Sequence, residues 1–147
     1  MSRMFCNCSS LKELNLNNFN SNNVTNMSKM FCGCSSLEKL NLNSFNTKKV
    51  TNMCSMFKGC ASLNELNLDN FNINNGNDMK DRFKKNNRNN ITNMSSMFYY
   101  YLSLKELNLS NFNTNKVTNM SKMFEGCSDE LKKKINEKYK NKFKKCL

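Results

Sequence analysis

The sequence predicts an α/β repeat solenoid, each unit one short parallel strand followed by one short helix. The first observation is a period. Leu37, Leu40, Leu42, Phe45 and Asn46 are preceded by Leu11, Leu14, Leu16, Phe19 and Asn20 at an interval of 26 residues. Leu63, Leu66, Leu68, Phe71 and Asn72 follow at 26, and Leu104, Leu107, Leu109, Phe112 and Asn113 at a further 41. A fixed period of this length marks an array whose units cannot bury an apolar face alone. The second observation is alternation at Leu40-Asn41-Leu42, which sends both leucines to one side of a strand and the asparagine to the other. The third is the set Met27, Met30, Phe31 and Cys34, spaced as one face of a helix of two to three turns.

Taking Met-Phe as each start, the units are 4–29, 30–55, 56–81, a short 82–96, 97–122 and a partial unit from Met123. The helical set recurs as Met53, Met56, Phe57 and Cys60, as Met94, Met97, Phe98 and Tyr101, and as Met120, Met123, Phe124 and Cys127. Thr25 is the expected N-cap and Gly33 the expected C-terminal stop. Stacked strands form a parallel sheet with two exposed columns. One is Asn15, Asn41, Asn67 and Asn108; the other is Glu13, Lys39, Glu65 and Glu106. Phe19, Phe45, Phe71 and Phe112 close the core after the strand, and Asn20, Asn46, Asn72 and Asn113 are expected to bond the backbone of that turn.

The 147 residues divide into the array at 1–128 and a C-terminal segment at 129–147. In the short unit the leucine strand is missing, Arg82-Phe83 replaces Met-Phe, and Gly76 stands where other units carry Val or Ile. Residues 76–90 are therefore expected to loop out of the stack, so that the strand at Leu66 pairs with that at Leu107. This segment is either a binding loop or a decayed repeat. From Asp129 the period stops, and Leu131, Ile135, Tyr139 and Phe143 recur every fourth residue among lysines. An amphipathic helix there is expected to cap the last unit. The first unit shows no such cap, which predicts end-to-end self-association or an upstream segment.

The net charge is +12, concentrated in the insert and the tail. Lys80, Arg82, Lys84, Lys85 and Arg88, with Lys132, Lys133 and Lys134, form a candidate basic patch for a polyanion or an anionic membrane. The chain has no His, which removes the commonest general base and metal ligand. No nucleophile–base set, phosphate loop or paired carboxylates in an apolar setting is present, so catalytic, metal and cofactor residues are all expected to be none. Of the eight cysteines, Cys8, Cys34, Cys60 and Cys127 share one repeat position and read as a free core ladder. Helix-set rungs about 8–10 Å apart would be too far apart for bridges. Cys6 and Cys32 add C-x-C spacings that support zinc only weakly, and Cys146 reads as a reactive or cross-linking thiol. Met1 to Phe5 runs directly into a repeat, which predicts either a cytoplasmic chain or a fragment with its export signal upstream.

Written out, the unit is Met-Phe-x-Gly-Cys-x-Ser-Leu-x-x-Leu-Asn-Leu-x-x-Phe-Asn-Thr-x-x-Val-Thr-Asn-Met-Ser, and it spans residues 4 to 127. It resembles the BspA-type leucine-rich-repeat surface-protein family, whose repeats are often called lipoprotein-associated. The resemblance implies a right-handed leucine-rich-repeat-like solenoid, a non-enzymatic role, and surface adhesion or host-protein binding. The sequence expectation is thus a protein-binding scaffold that presents Glu13, Asn15, Lys39, Asn41, Glu65, Asn67, Glu106 and Asn108, with the polyanion binder as its rival. No small-molecule substrate is expected. A degenerate gene-family fragment is the third reading.

Overall fold

The computed structural model describes residues 1–71, 91–112, 114, 116–140 and 142–147. Its regular elements are β1 (Glu13–Leu14), β2 (Lys39–Leu40), α1 (Asp129–Lys138) and a closing 3₁₀ turn at Lys144–Cys146. β1 and β2 are parallel, with Glu13 opposite Lys39 and Leu14 opposite Leu40. The longest backbone ladder lies elsewhere, at the Thr-Asn-Met segments, where Asn26, Asn52, Asn93 and Asn119 bridge in parallel from unit to unit. Asn52 pairs directly with Asn93, so the units on either side of the insert are neighbours. Leu66 and Leu107 belong to those adjoining units, but the described residues form no strand pair there. The two segments are tied instead by Asn108 Nδ2 to Asp69 Oδ1 at 3.2 Å, Asn111 Nδ2 to the Asp69 carbonyl at 3.1 Å, and the Ser103 hydroxyl to the Ala61 carbonyl. The basic insert itself lies outside the described residues.

The expected helix over Met27–Cys34 is not formed. Lys29 has φ +57° and Gly33 φ +76°, left-handed values that no α-helix contains. Ser55 and Gly59, Ser96 and Tyr100, and Lys122 and Gly126 repeat the pattern. The reason lies in where the N–H groups go. Met27, Lys29, Phe31 and Gly33 donate to Asn52, Cys54, Met56 and Lys58 of the next unit at 2.8–3.0 Å. Met30, Cys32 and Cys34 donate back three residues, to Met27, Lys29 and Phe31. An isolated eight-residue helix is marginal, whereas these tight turns satisfy half their donors across the stack. Successive three-residue turns bury the same i, i+3, i+4 and i+7 positions that a helix would. Met27, Met30, Phe31 and Cys34 are all inaccessible to solvent.

The capping roles move accordingly. Asn26, rather than Thr25, starts the turn: its Oδ1 accepts the Ser28 N–H at 2.9 Å, and Asn52, Asn93 and Asn119 do the same for Cys54, Ser95 and Ser121. The threonines run a ladder instead, the Thr51, Thr92 and Thr118 hydroxyls donating to the Thr25, Thr51 and Thr92 carbonyls. Asn20 and Asn46 accept the N–H two residues on, from Asn22 and Lys48, at 3.1 and 3.0 Å. Asn72 and Asn113 lie outside the described residues.

The core is a column of stacked rings. Phe5, Phe31, Phe57, Phe98 and Phe124 follow one another at 5.5–6.0 Å between centroids, within 10° of parallel. Beside them, Phe19, Phe45 and Phe71 stack at 5.3 and 6.3 Å. The Cys34, Cys60 and Cys127 thiols each donate to the carbonyl of the phenylalanine one unit back, Phe5, Phe31 and Phe98. Cys8 shares their repeat position but is exposed.

Helix α1 closes the far end. Ser128 caps it through its hydroxyl on Leu131 N–H, and Leu131 and Ile135 are buried. Phe143 meets Phe124 edge-on at 6.0 Å, ending the ring column with a perpendicular ring. The Tyr139 hydroxyl accepts the Leu109 N–H at 2.7 Å, and Lys142 Nζ donates to the Phe112 carbonyl. These contacts satisfy backbone groups that the last unit would otherwise leave unpaired. Cys146 is buried, its thiol on the Phe143 carbonyl at 3.1 Å; it is not the open thiol expected from sequence. Among the described residues, no helix is long and apolar enough to cross a membrane.

Candidate functional site

The leucine segments present one polar face. Leu66, Leu68, Leu107 and Leu109 are buried, and Glu65, Asn67, Glu106 and Asn108 between them are exposed, as are Glu13, Asn15, Lys39 and Asn41. The asparagines are held by the fold. Asn15, Asn41, Asn67 and Asn108 each accept, through Oδ1, the N–H two residues on, from Asn17, Asn43, Asp69 and Ser110, at 2.8–3.0 Å. Their column therefore builds turns first. The carboxylates and lysines of this face take no part in those turns.

Three hollows join along this face. The largest, about 720 Å³, is lined by Glu65, Asp69 and Glu106 and by Lys105, Lys134 and Lys138. It shares Glu65 and Asn67 with a hollow of about 510 Å³ that reaches Lys39 and Asn41. It shares Glu106, Leu107, Lys134 and Lys138 with one of about 490 Å³ that runs under α1 to Tyr139. The result is an open trough with the leucine segments as its floor and α1 as one wall. Glu65, Asn67, Glu106 and Asn108 from the sheet-face set thus meet Lys134 from the basic patch.

The other candidate residues lie apart or are engaged. Glu13 and Lys39 pair across units at 2.8 Å. Their hydrogen bond and opposite charges hold the Glu13 carboxyl below, and the Lys39 ammonium above, their ordinary ranges. Lys132 pairs with Asp129 at 3.4 Å and Lys134 with Glu130 at 2.9 Å, while Lys133 is exposed. The apolar stripe of α1 is docked on the last unit and unavailable to a membrane in this arrangement. Lys80, Arg82, Lys84, Lys85 and Arg88 lie outside the described residues. At the first unit, Met1 and Met4 are exposed and Phe5 is half-buried. Among the described residues, no group of three or more Cys, Asp or Glu side chains is disposed to hold a metal ion.

A second surface went unread in the sequence. Tyr99-Tyr100-Tyr101-Leu102 replaces the Cys32-Gly33-Cys34-Ser35 of an earlier unit. Tyr101 fills the core, but Tyr100 and Leu102 are more than half exposed. Tyr100 holds φ +54° where the neighbouring units carry glycine. Its ring lies against Gly126, so close that a Cβ there would meet it at 2.7 Å. Lys58 Nζ sits 4.6 Å from the Tyr99 ring centroid. The signal was available: three tyrosines in a row at a position that elsewhere takes a small residue.

A family model described as "Mycoplasma protein of unknown function, DUF285" matches residues 1–89 and again 84–144. The chain belongs to this family, and its two matches overlap at residues 84–89, inside the segment where the period breaks. No curated protein and no solved structure matches it.

Proposed function

We propose that this DUF285 chain is a non-enzymatic, leucine-rich-repeat-like scaffold that binds a protein ligand, in an extended stretch, along the leucine-face trough. The BspA-type resemblance adds surface adhesion or host-protein recognition as the setting. The observation that carries the reading is the trough of about 720 Å³, lined by both the acidic Glu65, Asp69 and Glu106 and the basic Lys105, Lys134 and Lys138. An open, shallow channel with both charges suits a peptide segment better than a small molecule, which prefers an enclosed apolar site.

The test is selection of displayed peptides on the full chain, followed by measurement of their affinity for a Glu65→Lys/Glu106→Lys variant. Peptides that bind the wild type and lose at least about tenfold on the variant, with an unchanged circular dichroism spectrum, support the trough. Binding that ignores the variant overturns it. The rival is a polyanion or anionic-membrane binder acting through the basic insert and the C-terminal helix. Binding that collapses between about 50 and 200 mM salt, and falls on charge reversal at Lys133, favours that rival.

A further inference from the structure

Cys6 and Cys32 do not follow the rule that accounts for the buried thiols. Cys34, Cys60 and Cys127 are buried and spend their hydrogens on phenylalanine carbonyls. Cys6 and Cys32 instead follow the stacked Phe5 and Phe31, and both are half-buried free thiols open to solvent. The next units place Lys58, Tyr99 and Glu125 at that position. Bonds on either side fix the register: Phe5 N–H to the Met30 carbonyl at 2.9 Å, and Asn7 N–H to the Cys32 carbonyl at 2.7 Å. The Phe5 and Phe31 rings, one residue earlier, stack at 5.7 Å and 5°. Cys6 therefore lies directly on Cys32. Strands bonded this way run about 4.8 Å apart, inside the Cα window of roughly 4.4–6.8 Å for a disulfide. The helix-based spacing that argued against bridges does not apply, because the units touch backbone to backbone.

We propose that Cys6 and Cys32 form a dithiol modification site, oxidised by a small-molecule disulfide to a bridge across the first two units. Burial, and then the neighbouring Cys6 thiol in hydrogen-bonding contact, push the Cys32 thiol above its ordinary range. Either thiol of the pair can attack first; with Cys6 leading, Cys32 is the resolving thiol. The Cys6 thiolate attacks one sulfur of the oxidant and the other sulfur leaves as a thiolate. Cys32 then gives up its proton and attacks the Cys6 sulfur, expelling the second half. The oxidant gains two electrons and two protons and ends as two thiols; the chain gains one S–S bond and loses two hydrogen atoms. A bridge prefers Cβ atoms roughly 3.5–4.5 Å apart, a little closer than the spacing of about 4.8 Å between parallel backbones, so closing it draws the two units together slightly. An exposed bridge of this kind is readily reduced again. The rival pair is Cys8 with Cys34, at the same offset. It is disfavoured because Cys34 is wholly buried, its thiol is on the Phe5 carbonyl at 3.0 Å, and burial pushes it up to about 11.

The experiment treats the full chain with oxidised glutathione, blocks free thiols with iodoacetamide, and maps peptides without reduction. Each C-x-C pair shares one tryptic peptide, so the bridge is assigned from fragment ions and from serine variants. The expected product is an intramolecular Cys6–Cys32 bridge, kept in Cys8→Ser, absent from both Cys6→Ser and Cys32→Ser, and reversed by reduced glutathione. Two serine arms guard against a variant that merely misfolds, since a site requires loss in both while the reduced proteins keep the wild-type urea midpoint. Bridges through Cys8, intermolecular dimers in place of the internal bridge, or glutathione retained singly on Cys6 with Cys32 free would overturn the assignment.

Discussion

Phe57→Ala removes the ring at the middle of the main column, between Phe31 at 5.7 Å and Phe98 at 6.0 Å. Its side chain is inaccessible to solvent, so the lost burial and the cavity together should cost about 3–5 kcal/mol. Each stacked pair carries about 0.5–1.5 kcal/mol beyond its area, which makes the two pairs a substantial share of that loss. Phe5 is half-buried and stacks on Phe31 alone. In a one-dimensional array an end residue loses one interface where a central one loses two, so Phe5→Ala should cost about 1–2 kcal/mol. A domain stands only about 5–15 kcal/mol above its unfolded state, and Phe57→Leu gives a milder version that isolates stacking, at about 1–3 kcal/mol. The assay is urea unfolding followed by far-ultraviolet circular dichroism, the chain having no Trp. Equal losses for Phe5→Ala and Phe57→Ala, or a loss below about 1 kcal/mol for Phe57→Ala, would refute the stacked-column account.

Tyr139→Phe deletes the hydroxyl that accepts the Leu109 N–H and should cost about 1–3 kcal/mol, with faster amide exchange at Leu109. Unchanged exchange there would show that the ring, rather than the hydroxyl, closes the last unit. Leu42→Ala, at a site 2% exposed, should cost about 2–5 kcal/mol in urea; a loss under about 1 kcal/mol would contradict its burial. Burial raises the Cys34 and Cys146 thiols to about 11, above the roughly 8.5 of an unfolded thiol. The folded chain holds these protons more tightly, so their stabilisation is whole below about pH 8.5 and is lost as pH rises towards 11. A Cys34→Ala/Cys146→Ala variant should therefore show a shallower fall of urea midpoint with rising pH. An unchanged slope would assign the alkaline loss to other groups.

The apolar positions were legible because burial depends on register alone. Met53, Met56, Phe57 and Cys60 are all inaccessible to solvent, and the fourfold spacing of Leu131, Ile135 and Phe143 marks side chains buried in the structure. The helix was misread because a run of three-residue turns shares the i, i+3, i+4, i+7 set with an α-helix. Composition at the turn could have separated the two. The second left-handed position is Asn7, Gly33, Gly59 and Gly126 in four of its five occurrences, residues that accept positive φ and serve a helix interior poorly. The trough was half legible. Alternation exposes Glu65 and Glu106, but their meeting with Lys134 and Lys138 depends on how α1 docks. That is set by Tyr139 on Leu109 and Phe143 on Phe124, contacts with no trace in the period.

In a periodic chain, a polar residue that repeats is first a candidate for holding the period. The asparagine columns at Asn26, Asn52, Asn93 and Asn119, and at Asn15, Asn41, Asn67 and Asn108, recur from unit to unit among the described residues, and all eight bond the backbone two residues on. Their abundance therefore argues for architecture, and it would be an error to read them as a recognition code. Recognition has to be carried by positions that vary from unit to unit while the backbone stays constant. The charged column does this, running Glu13, Lys39, Glu65, Glu106, and so does the position after each stacked ring, running Cys6, Cys32, Lys58, Tyr99, Glu125. Lys39, Glu65 and Glu106 of the first line the trough, and Cys6 and Cys32 of the second are the dithiol. Both surfaces are built from departures that the fold tolerates because its backbone ladder at Asn26, Asn52, Asn93 and Asn119 does not depend on those side chains.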